Sequence, residues 1–379
     1  MCYKSYGARS TKSSTYANEE NKNNNIKYQQ NNVINEKNNI EDTKYYYQKK
    51  ENMEKYLDEN FIKFKEEFEL LDYVGGGSAG HVFKAKKMKG NYKNILAIKF
   101  CINDNQKESK NNNYLEVGIM KKLHHKNINP ILAFYKMNKN SFFSVQEYMK
   151  YGNLKYFIST LLRRKKLSET CVLYFAKQIL ESLEYLNRCK ILHFDIKPEN
   201  ILIDSELNPR LIDFSVSCSF AEYNKNDVVK FPFVGTSKYI APEIIKRSEM
   251  TIKDGEKIDL YSLGVTLYYL LFGVFPYNLN QVKGKNYEEI LKKIETEKLE
   301  FPKDDKVSDM LKDFLNKLLE KDFAKRISIK EALQHPWIKG WDILENEKNN
   351  ISCLENFLIK ITTNSVPKFN EYIKKIQLI

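Results

Sequence analysis

One short segment constrains this chain more than any other feature of its sequence. Residues Ile191–Ile203 read ILHFDIKPENILI, so that two apolar β-type runs enclose a turn carrying Asp195, Lys197 and Asn200. A carboxylate in such a turn can accept a proton from a hydroxyl group, and an ammonium two positions on can neutralise a moving phosphoryl charge. The amide carbonyl of an Asn can bind Mg²⁺, which takes oxygen ligands. The segment therefore indicates a site for phosphoryl transfer.

A second carboxylate follows this turn along the chain. Leu211–Phe214 read as an apolar strand that leads into Asp213. Asp213 and Asn200 can then bind one metal ion together. A chance loop that carries all of these side chains in this order is improbable.

A glycine-rich stretch lies between two predicted strands. Gly75, Gly77 and Gly80 follow the pattern G-x-G-x-x-G, with a strand predicted at Phe68–Val74 before them and another at His81–Lys86 after them. A dinucleotide-binding fold needs a helix after the glycines, because the helix N-terminus holds the pyrophosphate. A strand-turn-strand arrangement instead makes a flap whose backbone N–H groups close over phosphates. Taken alone, the pattern also fits an ordinary glycine-rich turn.

A lysine in an apolar strand points to an internal ion pair. Lys99 belongs to the predicted strand Ile95–Cys101, and an inward-facing ammonium needs an anion because an unpaired buried charge is unfavourable. The candidate partner is Glu116, on the helix predicted from Tyr114 to Leu123. The alternative, an edge Lys and a solvated Glu, stays open at this point.

The predicted elements divide the chain into a strand-rich half and a larger helical half. Further strands are predicted at 130–135, 142–148, 201–203 and 210–212, and helices at 153–162, 168–187, 258–272, 287–295, 307–319 and 329–333. We expect an Asn/Lys-rich, largely disordered extension (1–60), a small lobe (61–148), a large lobe (149–340) and a partly helical tail (341–379). The segment Lys50–Phe68 spaces its aromatic residues helically and is expected to pack on the domain that follows.

Composition and charge exclude several classes of protein. Hydrophobic residues make up 42% of the chain, so that a large core can form and the chain as a whole is not disordered. The net charge of +13 suits polyanionic ligands, although a bias toward Lys and Asn explains it equally well. No aromatic–basic RNA motif supports nucleic-acid binding, and the longest apolar stretch, Leu263–Phe275, is too short for a transmembrane segment. The six cysteines form no CxxC pair, which favours a reducing compartment, with the cytoplasm expected and the nucleus as an alternative.

Together these motifs resemble a eukaryotic protein kinase of the serine/threonine type, over residues Phe68 to about Trp337. Ala241–Glu243 closes the activation segment, and Arg326 lies where the family pairs an Arg with Glu243. The run Arg326–Ile338, RISIKEALQHPWI, is most similar to the calcium/calmodulin-dependent kinase group. The resemblance implies an α+β, bilobal fold with a small β-rich N-lobe containing one main helix and a larger α-helical C-lobe.

The resemblance also implies a role for each matching catalytic residue. Asp195 would orient the substrate hydroxyl and accept its proton, and Lys197 would stabilise the transferred group. Thr236 would contact both of these side chains. Lys99, positioned by Glu116, would hold the α- and β-phosphates of ATP.

The implied cofactors are ATP and Mg²⁺, with Mn²⁺ as an alternative metal. Asn200 and Asp213 would bind the metal ion. Gln146 falls at the gatekeeper position of the adenine site. The residues expected to bind ATP are Val74, Gly75, Gly76, Gly77, Ser78, Ala79, Gly80, Val82, Ala97, Lys99, Gln146, Glu147, Met149, Asn153 and Leu202.

Three positions depart from the family pattern. Phe194 replaces the Arg that usually precedes the catalytic Asp and binds an activation-segment phosphate, so we expect activity not to depend on that phosphate. Ser215 replaces the Gly that usually follows Asp-Phe, and Ser reaches the backbone angles of Gly only at an energetic cost. Asn153 stands where many relatives carry an acid that binds a substrate Arg, so we expect no strong Arg requirement, although Glu199 could supply such an acid.

We expect a kinase that uses Mg-ATP to phosphorylate Ser or Thr in protein substrates, because the complete catalytic set is present. One alternative is a pseudokinase, a nucleotide-binding scaffold with little turnover, which Phe194 and Ser215 motivate. A second is an interaction protein whose Asn-rich arm and basic surface bind nucleic acid or membrane. The sequence does not identify a regulatory partner.

Overall fold

The computed structural model of the chain describes most of residues 48–340. The described residues are 48–55, 57, 61, 63–77, 80–90, 94–101, 112–137, 141–161, 166–303 and 307–340. The expected tail from residue 341 and the extension up to residue 47 lie outside them, as do Ser78 and Ala79 of the glycine-rich stretch.

An antiparallel sheet of five strands forms the first part of the described structure. The strand order is β1-β2-β3-β5-β4. The strands are β1 Phe68–Gly77, β2 Gly80–Lys87, β3 Leu96–Cys101, β4 Ile131–Lys136 and β5 Phe142–Glu147. The helix α1, Phe64–Glu67, precedes β1, and α2, Asn112–Met120, contacts β4. All five strands were predicted, with ends that differ by up to three residues.

The two faces of this sheet have different environments, because successive side chains of a strand point to opposite faces. One face is apolar and buried, and it carries Phe83, Ile98, Phe100, Phe143 and Val145. The strand register places Val82 opposite Lys99 and Ala97 opposite Gln146 on the other face. The second face therefore gathers four residues that were predicted to belong to one site.

A helical segment before the sheet covers the apolar face. Residues 48–55 and 57 are helical, and Met53 and Leu57 belong to the same buried cluster as the apolar residues of the strands. Phe64 of α1 joins this cluster. The predicted packing of Lys50–Phe68 on the following domain is confirmed. Residues on the N-terminal side of position 61 thus contribute to the core of the small lobe.

The second part of the structure is mainly helical. Its helices are α3 Leu154–Tyr156, α4 Glu169–Arg188, α5 Pro242–Ile245, α6 Glu256–Phe272, α7 Tyr287–Thr296, α8 Asp309–Leu318 and α9 Ile329–Gln334. Its short strands form three pairs, β6 Ile191–Leu192 with β9 Cys218–Ser219, β7 Ile201–Ile203 with β8 Pro209–Leu211, and β10 Val228–Lys230 with β11 Glu249–Thr251. Short 3₁₀ turns occur at Pro198–Asn200, Ile252–Asp254 and Leu279–Gln281, and residues 336–340 are helical. The predicted α+β fold of two lobes is confirmed.

The helix α6 explains the longest apolar stretch of the sequence. Most of its side chains are buried because α4, α8 and α9 pack around it. A helix that is apolar on all sides belongs in the core of a large domain. In the part of the chain that the structure describes, no helix is both long and apolar enough to span a membrane.

Two local features differ from the sequence prediction. The helix expected at 153–162 is a single α-helical turn, α3, followed by a π-helical turn at Phe157–Leu161. The pairs β6–β9 and β10–β11 were not predicted. Each joins two or three residues to a distant partner, so no local alternation of apolar and polar residues reports it.

Candidate active site

A carboxylate on α6 fixes the turn that carries the catalytic candidates. Asp259 accepts hydrogen bonds from the backbone N–H groups of His193 and Phe194, at 2.8 Å each. Thr266, also on α6, donates to the carbonyl of Ile196 at 3.1 Å. The turn at 193–196 is therefore attached to the most buried helix of the large lobe.

His193 holds the same turn from the other side through one tautomer of its ring. Its Nε2 lies 3.0 Å from the carbonyl oxygen of Ile212, which can only accept a hydrogen bond. Its Nδ1 accepts the backbone N–H of Asp195 at 3.3 Å. The two contacts agree with a neutral imidazole that carries its proton on Nε2, and they join the turn to the strand segment before Asp213.

Three neighbours contact the Asp195 carboxylate. Lys197 Nζ and Asn200 Nδ2 donate to Oδ2 at 2.6 and 2.9 Å, and the backbone N–H of Thr236 donates to Oδ1 at 2.9 Å. Lys197 also donates to the Thr236 hydroxyl at 2.6 Å. The structure thus brings together Asp195, Lys197, Asn200 and Thr236, as the sequence predicted.

The charge state of Asp195 follows from these contacts. Burial favours the neutral acid, but the hydrogen bonds from Lys197 and Thr236 and the charge of Lys197 outweigh burial and lower the pKa of Asp195 below its ordinary value. The carboxylate is therefore ionised at neutral pH. It can accept a hydrogen bond from a substrate hydroxyl that reaches it.

Asn200 and Asp213 offer oxygen atoms to a divalent metal. The backbone N–H of Ile212 donates to the backbone carbonyl of Asn200 at 3.0 Å, which holds the two segments side by side. Asp213 has a left-handed backbone, with φ +63°, and within the described residues its Oδ1 is buried without a hydrogen-bond partner. A buried carboxylate oxygen without a partner is unfavourable unless a ligand completes it. The described residues hold no group of three or more His, Cys, Asp or Glu side chains at metal-binding distance, so a metal here would need further oxygen ligands from nucleotide or water.

Lys99 and Glu116 form a bidentate ion pair across the small lobe. Lys99 Nζ donates to both carboxylate oxygens of Glu116, at 2.8 and 2.9 Å. Burial alone would lower the pKa of Lys99, but the negative charge of Glu116, its hydrogen bonds with Lys99 and, to a smaller extent, the charge of Asp213 raise it. The open choice between an edge Lys and an internal ion pair is thereby decided in favour of the ion pair.

The glycine-rich stretch forms the tip of the β1–β2 hairpin. Gly77 pairs with Gly80, and Val82 and Ala97 lie on the sheet face that carries Lys99. Gly80 has φ +122°, and a Cβ atom there would lie 2.1 Å from the carbonyl oxygen of Phe100. Only glycine fits this position. The strand-turn-strand arrangement predicted for this stretch is present, and no helix follows it.

Residues of the expected adenine site contact other residues of the protein through their side chains or their backbone. Gln146 Oε1 accepts from Asn129 Nδ2 at 3.0 Å, and Asn129 Oδ1 is buried without a partner among the described residues. Asn153 Oδ1 caps α3 by accepting the N–H of Tyr156 at 2.8 Å. Asn153 also forms a β-bridge with Leu202, while Met149 accepts the N–H of Gly152 at 3.1 Å. Glu147 ends β5 opposite Leu96.

Phe194 lies in an aromatic cluster, which we define as Phe194, Phe220 and Phe231. The ring of Phe194 lies 6.4 Å from Phe220 and 6.1 Å from Phe231, and the latter two are 5.1 Å apart. Phe194 is 4% exposed. Both partners belong to the segment between Asp213 and Glu243, so the cluster attaches this segment to the catalytic turn.

Backbone pairing holds the same segment. Ile191 and Leu192 pair with Ser219 and Cys218 in the β6–β9 ladder. The N–H of Phe220 donates to the carbonyl of Lys190 at 2.8 Å. Burial raises the pKa of Cys218, which keeps this thiol protonated and unreactive at neutral pH.

The predicted pairing of Arg326 with Glu243 is confirmed. The guanidinium binds the carboxylate through two contacts, of 2.5 and 2.9 Å, with both side chains buried. This geometry is the bidentate fork that Arg forms with carboxylates. It anchors the end of the activation segment to the base of the large lobe.

Sequence reasoning missed several supporting residues. Asp259 orders the catalytic turn, Asn129 contacts Gln146, and Phe220 and Phe231 surround Phe194. Asp259 could have been found because it begins the run DLYSLG, Asp259–Gly264, which resembles the start of the central large-lobe helix in protein kinases. The other three belong to no spacing that the sequence makes visible.

The structure has two lobes, with a glycine-rich hairpin and a bidentate Lys–Glu pair in the small lobe and a turn bearing Asp, Lys and Asn in the large lobe. Together these features define the protein kinase domain. The chain belongs to this family, since residues 68–338 match the family described as protein kinase domain. It is 32% identical over 306 residues to calcium-dependent protein kinase 4 of Plasmodium berghei (strain Anka), an alignment that covers 79% of this chain and 54% of the relative.

Two further relatives are also named as kinases. Death-associated protein kinase 2 of Mus musculus is 34% identical over 251 residues, 64% of this chain and 63% of the relative. Serine/threonine-protein kinase ULK3 of Mus musculus is 32% identical over 276 residues, 72% of this chain and 54% of the relative. The chain spans about half the length of the Plasmodium berghei calcium-dependent protein kinase 4. The predicted resemblance to the calcium/calmodulin-dependent kinase group is confirmed by two of these relatives, calcium-dependent protein kinase 4 and death-associated protein kinase 2.

Proposed function

We propose that this chain is a serine/threonine protein kinase that transfers the γ-phosphate of Mg-ATP to hydroxyl groups of protein substrates. The observation that carries the proposal is the contact of the Asp195 carboxylate with Lys197, Asn200 and Thr236. The unpartnered Oδ1 of Asp213 supports a divalent metal beside it. The name of one relative, serine/threonine-protein kinase ULK3, supports Ser and Thr as acceptors.

Each residue of the site would act mainly by position and charge, because phosphoryl transfer needs little covalent chemistry from the protein. Asp195 would accept a hydrogen bond from the substrate hydroxyl and then its proton. Lys197 Nζ, 2.6 Å from Asp195, would stabilise the negative charge of the transferred group. Lys99, held by Glu116, would orient the phosphates. Asn200 and Asp213 would hold Mg²⁺, which when bound would neutralise negative charge on the phosphates.

The test is transfer of phosphate to casein or myelin basic protein by the purified chain, with Mg²⁺ and, separately, Mn²⁺. We expect transfer to Ser or Thr, identified by mass spectrometry, and a loss of about 10²-fold or more in Asp195→Asn and Lys99→Met. The exposed Lys122→Met is the matched control for removal of a Lys charge and should retain activity. Equal activity in wild type and both site variants would overturn the proposal. Nucleotide-dependent thermal stabilisation without transfer would indicate the scaffold alternative.

We also propose that the aromatic cluster holds the activation segment in place. In kinases with an Arg at the position of Phe194, a phosphate on that segment binds the Arg and has this function. Phe194 cannot form the charge-assisted fork that binds a phosphate. Its contacts with Phe220 and Phe231 are apolar, so they do not require modification of the segment. The segment is joined to the large lobe through β6–β9 and β10–β11 in its unmodified form.

Substitution of the hydroxyl residues of the segment tests this proposal. Ser215→Ala, Ser219→Ala and Ser237→Ala should each retain activity within about twofold, because no phosphate on them would be needed. Phe220→Ala should lower activity and stability, because it removes an aromatic partner of Phe194. An alanine variant that loses activity and recovers it with Asp at the same position would contradict the proposal.

Cys189 and Cys218, two cysteines in the described part of the chain, form no disulfide there, which supports the expected reducing compartment.

A further inference from the structure

Glu199, which lies beside the catalytic turn, forms an ion pair with Lys155. Glu199 lies in the 3₁₀ turn Pro198–Asn200, next to the proposed metal ligand Asn200. Its Oε1 accepts a hydrogen bond from Lys155 Nζ at 2.7 Å. Lys155 belongs to α3 and is separated from Glu199 by 44 positions, so the pair is a tertiary contact across the edge of the site.

Glu199 is close to the place where a protein substrate must lie. Asn200, its neighbour in the chain, contacts the Asp195 carboxylate at 2.9 Å. Burial is the main cause of the raised pKa of Tyr239, and the negative charges of Glu199 and Asp195 both add to it. Because Asn200 contacts Asp195, a substrate hydroxyl that reaches Asp195 brings the neighbouring substrate residues close to Glu199.

The Glu199 carboxylate is incompletely satisfied in this arrangement. Its Oε2 is buried and has no hydrogen-bond partner among the described residues. An ionised carboxylate can accept about four hydrogen bonds, and burial makes a missing one unfavourable. The ammonium of Lys155 supplies positive charge at Oε1, and its removal would leave the carboxylate ready for a cation from elsewhere.

We propose that Lys155 determines substrate specificity because its ammonium pairs with the Glu199 carboxylate. The kinase then disfavours Lys or Arg at the substrate position that lies beside Glu199. A basic substrate side chain would have to approach the Glu199 carboxylate within a few ångströms of the Lys155 ammonium, where like charges repel. The Lys155 side chain is 52% exposed, so the pair lies at a surface that a substrate can reach. This inference rests on the proposed kinase function and names the substrate class for it.

A peptide library with a central Ser or Thr tests the inference with the full chain and Mg-ATP. Each peptide carries one fixed residue, either Arg or Ala, at one flanking position, and the readout is the ratio of phosphate transfer with Arg to transfer with Ala. The variants are Lys155→Met, which keeps the apolar stem of the side chain, Glu199→Gln, and the double variant. The exposed Lys122→Met controls for the loss of one positive charge.

Wild type and Lys122→Met should show a ratio of one or less at the substrate position beside Glu199. Lys155→Met should raise the ratio at one position by about tenfold or more, because a substrate Arg then supplies a charge-assisted hydrogen bond to Glu199. Glu199→Gln in the double variant should abolish this gain. Because the readout is a ratio, a uniform fall in rate does not change it.

Three results would overturn the inference. One is an Arg preference in wild type that Glu199→Gln removes, since the substrate would then displace Lys155. Another is a ratio in Lys155→Met equal to that of wild type while transfer continues. The third, no transfer by any variant to any peptide, overturns the proposed kinase function and this inference with it.

Discussion

At the scale of single residues, the backbone of Gly80 leaves no room for a side chain. A Cβ atom would lie 2.1 Å from the carbonyl oxygen of Phe100, and φ is +122°. Gly80→Ala should therefore lower the free energy of unfolding by about 1–3 kcal/mol, because both the contact and the backbone angle are unfavourable. Denaturant unfolding measures this difference.

Gly75→Ala is the matched control, because a Cβ atom at Gly75 would meet no atom within 4 Å. We expect its free energy of unfolding to lie within about 0.5 kcal/mol of wild type. Equal destabilisation by the two substitutions would contradict the contact that we assign to Gly80.

The lowered pKa of Asp195 predicts how stability depends on pH. A carboxyl group with a lower pKa in the folded state contributes stability above its unfolded pKa, and that stability is lost as pH falls through the folded value. Lys197→Met should lower the free energy of unfolding by about 1–3 kcal/mol at pH 7, because it removes the main cation at Asp195. The loss should shrink as pH falls below about 4, the ordinary pKa of an Asp, and through the lower folded pKa of Asp195.

Lys225→Met provides the control for this pH series, since Lys225 is exposed and lies in the same activation segment. Its effect should be small and independent of pH. A difference between Lys197→Met and wild type that stays constant from pH 7 to pH 3 would show that Lys197 does not stabilise the Asp195 anion.

Residues of the site that lie close in sequence could be predicted, and residues joined across the fold could not. Asp195, Lys197 and Asn200 occupy one turn, so their spacing alone indicates a shared function. The contact of Asn129 with Gln146 joins residues 17 positions apart, and that of Asp259 with Phe194 joins residues 65 apart. Such contacts depend on how helices and strands pack, which single-sequence patterns do not report.

At the scale of elements, the activation segment is held at its end by a buried ion pair. The side chains of Arg326 and Glu243 are 0% and 2% exposed. Glu243→Gln should lower the free energy of unfolding by about 3–5 kcal/mol, because it leaves a buried guanidinium without its counter-charge. Thermal and denaturant unfolding measure this loss.

The matched control is Glu249→Gln in β11, which breaks an exposed pair with Lys230 at 3.6 Å. Exposed pairs contribute at most about 1 kcal/mol, so this substitution should have a small effect. Similar losses for Glu243→Gln and Glu249→Gln would contradict a special role for the buried pair.

Long elements were predictable and short ones were not, for a physical reason. The helix α4 has an amphipathic pattern and a Ser168 cap, and both were visible in the sequence. The strands β9 and β10 are only two and three residues long, and their existence depends on pairing with β6 and β11. The π-helical turn at Phe157–Leu161 is equally invisible to a pattern that assumes regular α-helical spacing.

At the scale of the whole molecule, the helical segment before the kinase domain belongs to the structure of the small lobe. Leu57 is 1% exposed, although it precedes the residues that match the family. Leu57→Ala should lower the free energy of unfolding by about 2–5 kcal/mol, because it leaves a cavity under the apolar face of the sheet. Thermal unfolding of the full chain measures the effect.

Glu54→Ala is the control from the same helical segment, since the Glu54 side chain is 39% exposed. It should change stability by about 0.5 kcal/mol or less. If Leu57→Ala were as stable as Glu54→Ala, the segment would not be part of the small-lobe core.

We propose that this kinase domain needs no activation-segment phosphate for catalysis, because the aromatic cluster holds that segment. The most direct test is the initial rate of peptide phosphorylation after complete dephosphorylation by a protein phosphatase, with mass spectrometry to verify that no phosphate remains. We predict a linear progress curve from the first turnovers and a rate within about twofold of the untreated protein. A rate that falls at least tenfold and recovers after a lag, as phosphate returns to the segment between Asp213 and Glu243, would contradict the account.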